Sequence, residues 1–201
     1  MHIGIPTTSQ HTLLADQRTD MHGSATGALA LQPELTLSMR KTLVAWLVQI
    51  HHSLALRPET LFVAVEIMDR ASTVATRSSS CHQRDWRPAL YIRKSQYQLL
   101  GLVSLWIAAK LQESTHVPSL QRLARFSCNV YKRMDFVRLE LLVLATLSFQ
   151  ISSQTAVEHL HLFADQEHML HGSDAWQQQN IQTAVWILTC ALPFGRFQIL
   201  I

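Results

Sequence analysis

The chain contains little charge, little glycine or proline, and few cysteines. Asp, Glu, Lys and Arg together make up 15% of its 201 residues, Gly and Pro occur six times each, and Cys occurs three times. This low charge, together with 48% apolar residues, excludes a disordered acidic or basic chain over most of the length. The scarcity of turn-forming residues favours helices over a β-sandwich or a β-barrel.

The cysteines and the apolar runs exclude further classes of protein. Cys81, Cys128 and Cys190 lie far apart and are odd in number, so they predict neither a disulfide framework nor a zinc site. The longest apolar runs, 99–109 and 184–192, are shorter than the ~20 residues that a membrane span needs. The N-terminus lacks the basic start and apolar core of a signal peptide. We therefore expect an intracellular, soluble protein without a membrane partner.

The sequence contains none of the common motifs of enzymes and metal sites. GxSxG, a phosphate-binding loop, HExxH and paired catalytic carboxylates do not occur. His168 and His171 could share a helix face, but no cysteine or second helix supplies further metal ligands. The net charge of +3 comes without a basic stripe, which argues against nucleic acid. We expect no metal, no cofactor and no nucleic-acid partner.

Apolar residues recur at helical spacing along most of the chain. Seven helices are predicted, over about 35–54, 58–71, 95–112, a short stretch that begins at Pro118, 132–147, 153–170 and 175–192. The third is apolar nearly all round, so we expect it to be central. A flexible tail (1–33) thus precedes a helical domain (34–151), which carries a long loop over about 72–90. Residues 152–201 begin a second unit.

Blocks of sequence along these helices resemble the cyclin box, most closely that of the A/B-type cell-cycle cyclins. The blocks, in family order, are MRKTLVAWLV (39–48), PETLFVAVEIMDR (58–70), YQLLG (97–101), AAKLQE (108–113), VP (117–118), RLE (138–140) and LSF (147–149). The resemblance implies an all-α protein, with a five-helix cyclin fold followed by a partial second cyclin fold. It also implies a non-enzymatic subunit that binds and activates a cyclin-dependent Ser/Thr kinase, controls cell-cycle progression, and occurs in the nucleus and cytoplasm.

The resemblance also implies which residues of this sequence bind the kinase. These are Lys110, Leu111, Glu113, Glu140, Phe149 and Ile151. It implies that Lys110 and Glu140 hydrogen-bond the regulatory helix of the kinase and the adjoining backbone. From periodicity alone, the same two residues would be solvated charges at helix ends. Phe149 and Ile151 would likewise be ordinary core residues.

A peptide-docking groove is implied at Met39, Leu43, Trp46 and Gln98. In many cyclins this shallow apolar groove holds Arg-x-Leu peptides of substrates and inhibitors. Thr42 and Tyr97 replace aliphatic residues of the family, and Gln49 replaces an acid. We expect the groove in outline, with weaker or altered preference. Trp46 by itself also fits an ordinary core position.

A structural ion pair is implied between Arg40 and Asp69, on the first two helices. An Arg fork matches a carboxylate in two parallel hydrogen bonds, which suits a buried pair. Ala45 stands where the family has an Asp, so one local polar contact is lost.

Two other functions remain open from the sequence. Ala45, the altered groove and the partial second fold would also fit a degenerate cyclin that acts as a scaffold without activating a kinase. A transcription-associated cyclin-fold protein is the other alternative, although it would require a basic face.

Overall fold

The computed structural model describes residues 32–74, 90–151, 155–171 and 174–194. Within these ranges all regular structure is helical, which confirms the predicted fold class. Most of the predicted tail and loop (1–31 and 75–89) lies outside the described residues. Gln32, at the end of the predicted tail, is buried, and its side chain donates to the carbonyl oxygens of Ser72 (3.1 Å) and Leu90 (3.0 Å). The ordered fold therefore includes residue 32.

The seven predicted helices are all present. Their bounds are α1 Leu37–Leu54, α2 Pro58–Val74, α3 Lys94–Gln112, α4 Leu120–Phe126, α5 Arg133–Thr146, α6 Ala156–His171 and α7 Asp174–Ala191, followed by a 3-10 turn, Leu192–Phe194. The second helix runs three residues beyond its predicted end at 71. The fourth begins at Leu120 rather than Pro118, because Ser119 takes the N-cap and its hydroxyl accepts from the Arg122 N–H at 3.3 Å.

Side-chain caps explain where several other helices begin and end. The Thr36 hydroxyl accepts from the Met39 N–H and caps the start of α1. At the other end, Ala55 follows Leu54 in the left-handed conformation that commonly ends a helix. At α6, the Thr155 N–H donates to Glu158 Oε2 at 3.0 Å, and the Glu158 N–H donates back to the Thr155 hydroxyl. This reciprocal pair is a capping box, and it starts α6 at Ala156 rather than at 153, where periodicity predicts the start.

The third helix lies at the centre of the core, as its all-round apolar pattern predicts. Leu100, Leu102 and Leu105 are fully buried. It crosses α1 closely at Gly101, where an added Cβ would lie 3.1 Å from Leu43 Cδ1. A glycine here lets the two helices approach without displacing Leu43.

The Arg40 guanidinium joins three separate segments in the interior. Its Nε and NH2 donate to the two carboxylate oxygens of Asp69, each at 2.8 Å, and Arg40 is fully buried. Its NH1 donates to the carbonyl oxygens of Leu192 (3.3 Å) and Pro193 (3.2 Å), in the turn after α7. Burial by itself lowers the pKa of Arg40, but the hydrogen bond and charge of Asp69 outweigh burial and leave it raised.

The last two helices pack on the first five along one side only. Val157 on α6 is fully buried, and His161 Nε2 lies 3.2 Å from Glu59 Oε1 on α2. Large apolar side chains on the other side of these helices are exposed: Leu162 and Phe163 on α6, and Trp186 and Ile187 on α7.

Replacing Asp69 with Ala should lower the free energy of unfolding by about 3–5 kcal/mol, because it strands the buried Arg40 charge. Urea unfolding of the purified chain measures this. The double variant Arg40→Met/Asp69→Leu should be less destabilised than Asp69→Ala, since it leaves no unpaired charge. A loss under ~1 kcal/mol in Asp69→Ala would contradict a dominant role for the pair.

His51 is a buried neutral base at the corner between α1 and α2. Its Nε2 lies 2.8 Å from the Arg57 carbonyl oxygen, so the ring proton is on Nε2. Its Nδ1 is buried and, in the described part of the chain, has no hydrogen-bond partner. Burial is the main cause that lowers the pKa of His51 below its ordinary value of 6.5.

This lowered pKa makes the fold sensitive to mild acid. Below pH 6.5 the unfolded chain holds more protons at His51 than the folded chain, so stability should fall as the pH falls below that value. Urea unfolding at pH 7.5 and at pH 5.5, about one unit above and about one unit below 6.5, measures how steeply the free energy of unfolding changes with pH. His51→Gln should reduce the slope, whereas His52→Gln, at the exposed neighbour, serves as the control. Equal slopes in all three proteins would contradict the assignment.

Candidate functional site

An ion pair on the surface joins the end of α3 to α5. Lys110 Nζ donates to Glu140 Oε1, and the two side chains are 38% and 15% exposed. Lys110 Nζ also lies over the ring of Trp106, 3.3 Å from its centroid, in a cation–π contact. Lys110 occupies the last turn of α3, where the helix dipole favours a positive charge. The two charges predicted from the sequence to act together therefore meet in the folded chain.

Exposed apolar side chains surround this pair. Leu111, next to Lys110, is 53% exposed, and Leu141, next to Glu140, is 62% exposed. On α5, exposed Met134, Val137 and Leu141 follow one another at helical spacing. We call Lys110, Leu111, Val137, Glu140 and Leu141 the α3–α5 face. An apolar patch with a charged centre is typical of a protein-binding surface.

A cleft of about 750 Å³ adjoins this face between α3, α4 and α5. Trp106, Leu120 and Val137 contribute apolar lining, and Lys132 and Arg133 contribute the charged lining. Among the residues that the structure describes, no acidic side chain lines it. The cleft extends the apolar surface beside the ion pair and gives one edge of it a positive charge.

Phe149 lies just beyond the end of α5 in a strained segment. Ser148 and Phe149 both have left-handed backbones, with φ of 53° and 58°. Such a conformation costs roughly 1–2 kcal/mol for a residue other than glycine. Phe149 is 65% exposed, so it is not the core residue that periodicity alone would suggest, whereas Ile151 is half-buried against the core. Left-handed residues also follow α1 at Ala55 and α4 at Cys128 and Asn129, so it is the exposure of the aromatic ring that marks Phe149 as a candidate contact residue.

Clusters of metal-ligating side chains and membrane-spanning helices are both absent from the part of the chain that the structure describes. It contains no group of three or more His, Cys, Asp or Glu side chains that could hold a metal ion. His161 contacts Glu59, and the side chains of His168 and His171 lie outside the described part. No helix among the described residues is long and apolar enough to cross a membrane.

The sequence matches a known protein family over most of its length. Residues 11–152 match the family described as Cyclin, N-terminal domain. The chain belongs to the cyclin family. It is 34% identical over 140 residues to a G1/S-specific cyclin of Candida albicans, 37% over 137 residues to the G2/mitotic-specific cyclin-B3 of Mus musculus, and 29% over 167 residues to Cyclin-O of Homo sapiens.

These matches cover unequal shares of the two proteins. They span 69%, 68% and 82% of this chain, but only 18%, 9% and 43% of the three relatives, so the chain spans less than half the length of each. In structure, the chain resembles a viral cyclin from herpesvirus saimiri, with a TM-score of 0.67 and 18% identity over 90% of this chain and 71% of that one. This likeness supports the fold.

Glu113 has a different place in this cyclin from the other predicted kinase-binding residues. Its Oε1 accepts from the Arg57 N–H at 2.8 Å and from the Thr60 hydroxyl at 2.7 Å. Both donors belong to the start of α2, so the carboxylate caps that helix from the end of α3. The structure therefore gives Glu113 a stabilising role within the fold.

The predicted docking-groove residues lie between α1 and α3 but differ in exposure. Leu43 is buried against Gly101, whereas Met39, Trp46 and Gln98 are half-buried. Tyr97, one of the departures from the family, is also buried. Burial, followed by the charge of Asp69, raises the pKa of the Tyr97 hydroxyl. Three of the four predicted groove residues are therefore partly accessible to a ligand, whereas Leu43 is not.

Sequence reasoning missed Trp106, Val137 and Leu141. The signal was present, because α5 has apolar residues on more than one side: Phe136 and Val143 are buried while Val137 and Leu141 are exposed. A helix with an apolar inner face and further apolar residues outside it indicates a second contact surface.

Replacing Glu113 with Ala should lower the free energy of unfolding by about 1–3 kcal/mol, because two hydrogen bonds to a charged group are lost. Thermal or urea unfolding measures this. Glu113→Gln retains an acceptor oxygen and should lose less. Unchanged stability in Glu113→Ala would show that the cap contributes nothing.

Proposed function

We propose that this cyclin binds and activates a cyclin-dependent Ser/Thr kinase through the α3–α5 face and Phe149. The observation that carries the proposal is the Lys110–Glu140 pair, which has exposed Leu111 and Leu141 as sequence neighbours. The exposed Phe149 lies beyond the end of the helix that carries Glu140. The family and its relatives, whose names describe G1/S and G2/mitotic cyclins, support the same conclusion.

The partial exposure of the ion pair leaves it within reach of a partner. Lys110 is 38% exposed and Glu140 is 15% exposed, whereas Arg40 of the interior pair is fully buried. Lys110 can then donate, and Glu140 can accept, at the backbone of a partner helix. Leu111 and Leu141 would bury their apolar surface in the same contact and exclude water from these hydrogen bonds.

Activation would follow from differential binding. The cyclin would bind the active placement of the kinase's regulatory helix more tightly than the inactive one, and so shift the kinase towards activity. The chain would supply no catalytic group, and its role would be regulatory, in the control of cell-cycle progression. We propose the nucleus and cytoplasm as its location, and Arg-x-Leu peptides as ligands of the groove between α1 and α3.

The test is to mix the purified chain with a panel of cyclin-dependent kinases and to measure binding and histone phosphorylation. The double variant Lys110→Ala/Glu140→Ala should bind about thirtyfold more weakly, as expected for hot-spot residues worth ~2 kcal/mol. Lys94→Ala, at the opposite end of α3, is the matched control and should bind like the wild type.

Three outcomes distinguish the possible functions. Activation that is lost in the double variant and retained in Lys94→Ala would support the proposal. Binding without activation would instead favour a scaffold that does not activate. A folded chain that neither binds nor activates any kinase in the panel would overturn the proposal.

A further inference from the structure

Local backbone hydrogen bonds hold Phe149 in the linker from α5 to α6, as they hold Asn129 after α4. The Phe149 N–H donates to the Leu144 carbonyl oxygen at 2.8 Å, and the Gln150 N–H donates to the Leu147 carbonyl oxygen at 3.0 Å. These bonds close the end of α5, but they involve only neighbours in the chain.

One long-range side-chain hydrogen bond reaches this linker among the described residues. Arg70, near the end of α2, donates from NH2 to the Gln150 carbonyl oxygen at 2.6 Å, across 80 positions of sequence. Arg70 is half-buried, and its NH1 is fully buried without a hydrogen-bond partner in the described part of the chain. The guanidinium therefore contributes a single anchoring bond rather than a saturated network.

We propose that Arg70 is the positioning residue for Phe149. By anchoring the carbonyl of Gln150 to α2, it holds Ser148 and Phe149 in their left-handed conformations, which leave the aromatic ring exposed beside the end of α5. Arg70 would then set the affinity for the kinase without touching it. This inference rests on the proposed function, in which Phe149 contacts the kinase.

The physical reason is the strain in the linker. Left-handed residues other than glycine persist only where the surrounding structure fixes them. Loss of the bond to Gln150 would let Ser148 and Phe149 relax to ordinary backbone conformations, which would redirect the ring. Because Arg70 uses one terminal nitrogen, the single ammonium of a Lys can replace it, whereas a Met of similar length cannot.

The first experiment measures the dissociation constant for the kinase in a double-mutant cycle. Arg70→Met should weaken binding about tenfold, and Arg70→Lys should restore most of it. In a Phe149→Ala background, Arg70→Met should cause no further loss, because its effect acts through the ring. Arg122→Met is the matched control, since Arg122 also donates from NH2 to a distant carbonyl oxygen, that of Ser53 at 3.3 Å.

The second experiment needs no kinase, so its failure is separate from that of the proposed function. Amide hydrogen exchange at Gln150 and Ile151, and the fluorine NMR signal of 4-fluorophenylalanine placed at Phe149, report the linker directly. Both should change in Arg70→Met, stay near wild type in Arg70→Lys, and stay unchanged in Arg122→Met. If Arg70→Met does not fold, Arg70→Gln takes its place in both experiments.

The outcomes decide the inference in either case. Unchanged exchange and fluorine signals in a folded Arg70→Met protein would overturn it. An additive loss of affinity in the Phe149→Ala background would also overturn it, since Arg70 would then act elsewhere. If the wild type binds no kinase, the proposed function fails, and the fluorine and exchange measurements still decide whether Arg70 anchors the linker.

Discussion

The buried guanidinium of Arg40 is the interaction on which the rest of the structure depends. It binds both oxygens of Asp69 and two carbonyl oxygens of the turn after α7, and so joins the first, second and last described helices at one point. A buried charge of this kind is tolerated only because every one of these partners is in place. The packing of the turn after α7 on α1 is thus tied to the same ion pair that joins α1 to α2.

The Lys110–Glu140 pair differs from the Arg40–Asp69 pair in exposure, and this difference separates their roles. Arg40 is fully buried, so its pair opens only when the fold does, whereas Lys110 is 38% exposed and its bond to Glu140 can be exchanged for bonds to a partner. The strained Phe149 lies beyond the same helix that carries Glu140. The Arg40–Asp69 pair therefore stabilises the interior, whereas the Lys110–Glu140 pair lies on a surface that can form new contacts.

Much of the fold could be predicted from periodicity and capping residues. The all-round apolar pattern of α3 indicates its central place, and periodicity predicts α6, although from 153 rather than from Ala156. The residues of the candidate site are harder to predict from the sequence. Lys110 and Glu140 were identified only through resemblance to a family, since two isolated charges carry no signal of their own. The resemblance places Glu113 at the kinase, and spacing along the chain does not show that its carboxylate also caps α2.

The sequence by itself determined the helical class, the order of the seven helices and the family to which the chain belongs, because these depend on local spacing and on motifs within single segments. Only the tertiary structure decided which side chains meet. The contacts of Lys110 with Glu140, Glu113 with Arg57, and Arg70 with Gln150 span 30, 56 and 80 positions. Such contacts depend on how helices pack in space, and no pattern along the chain encodes that directly.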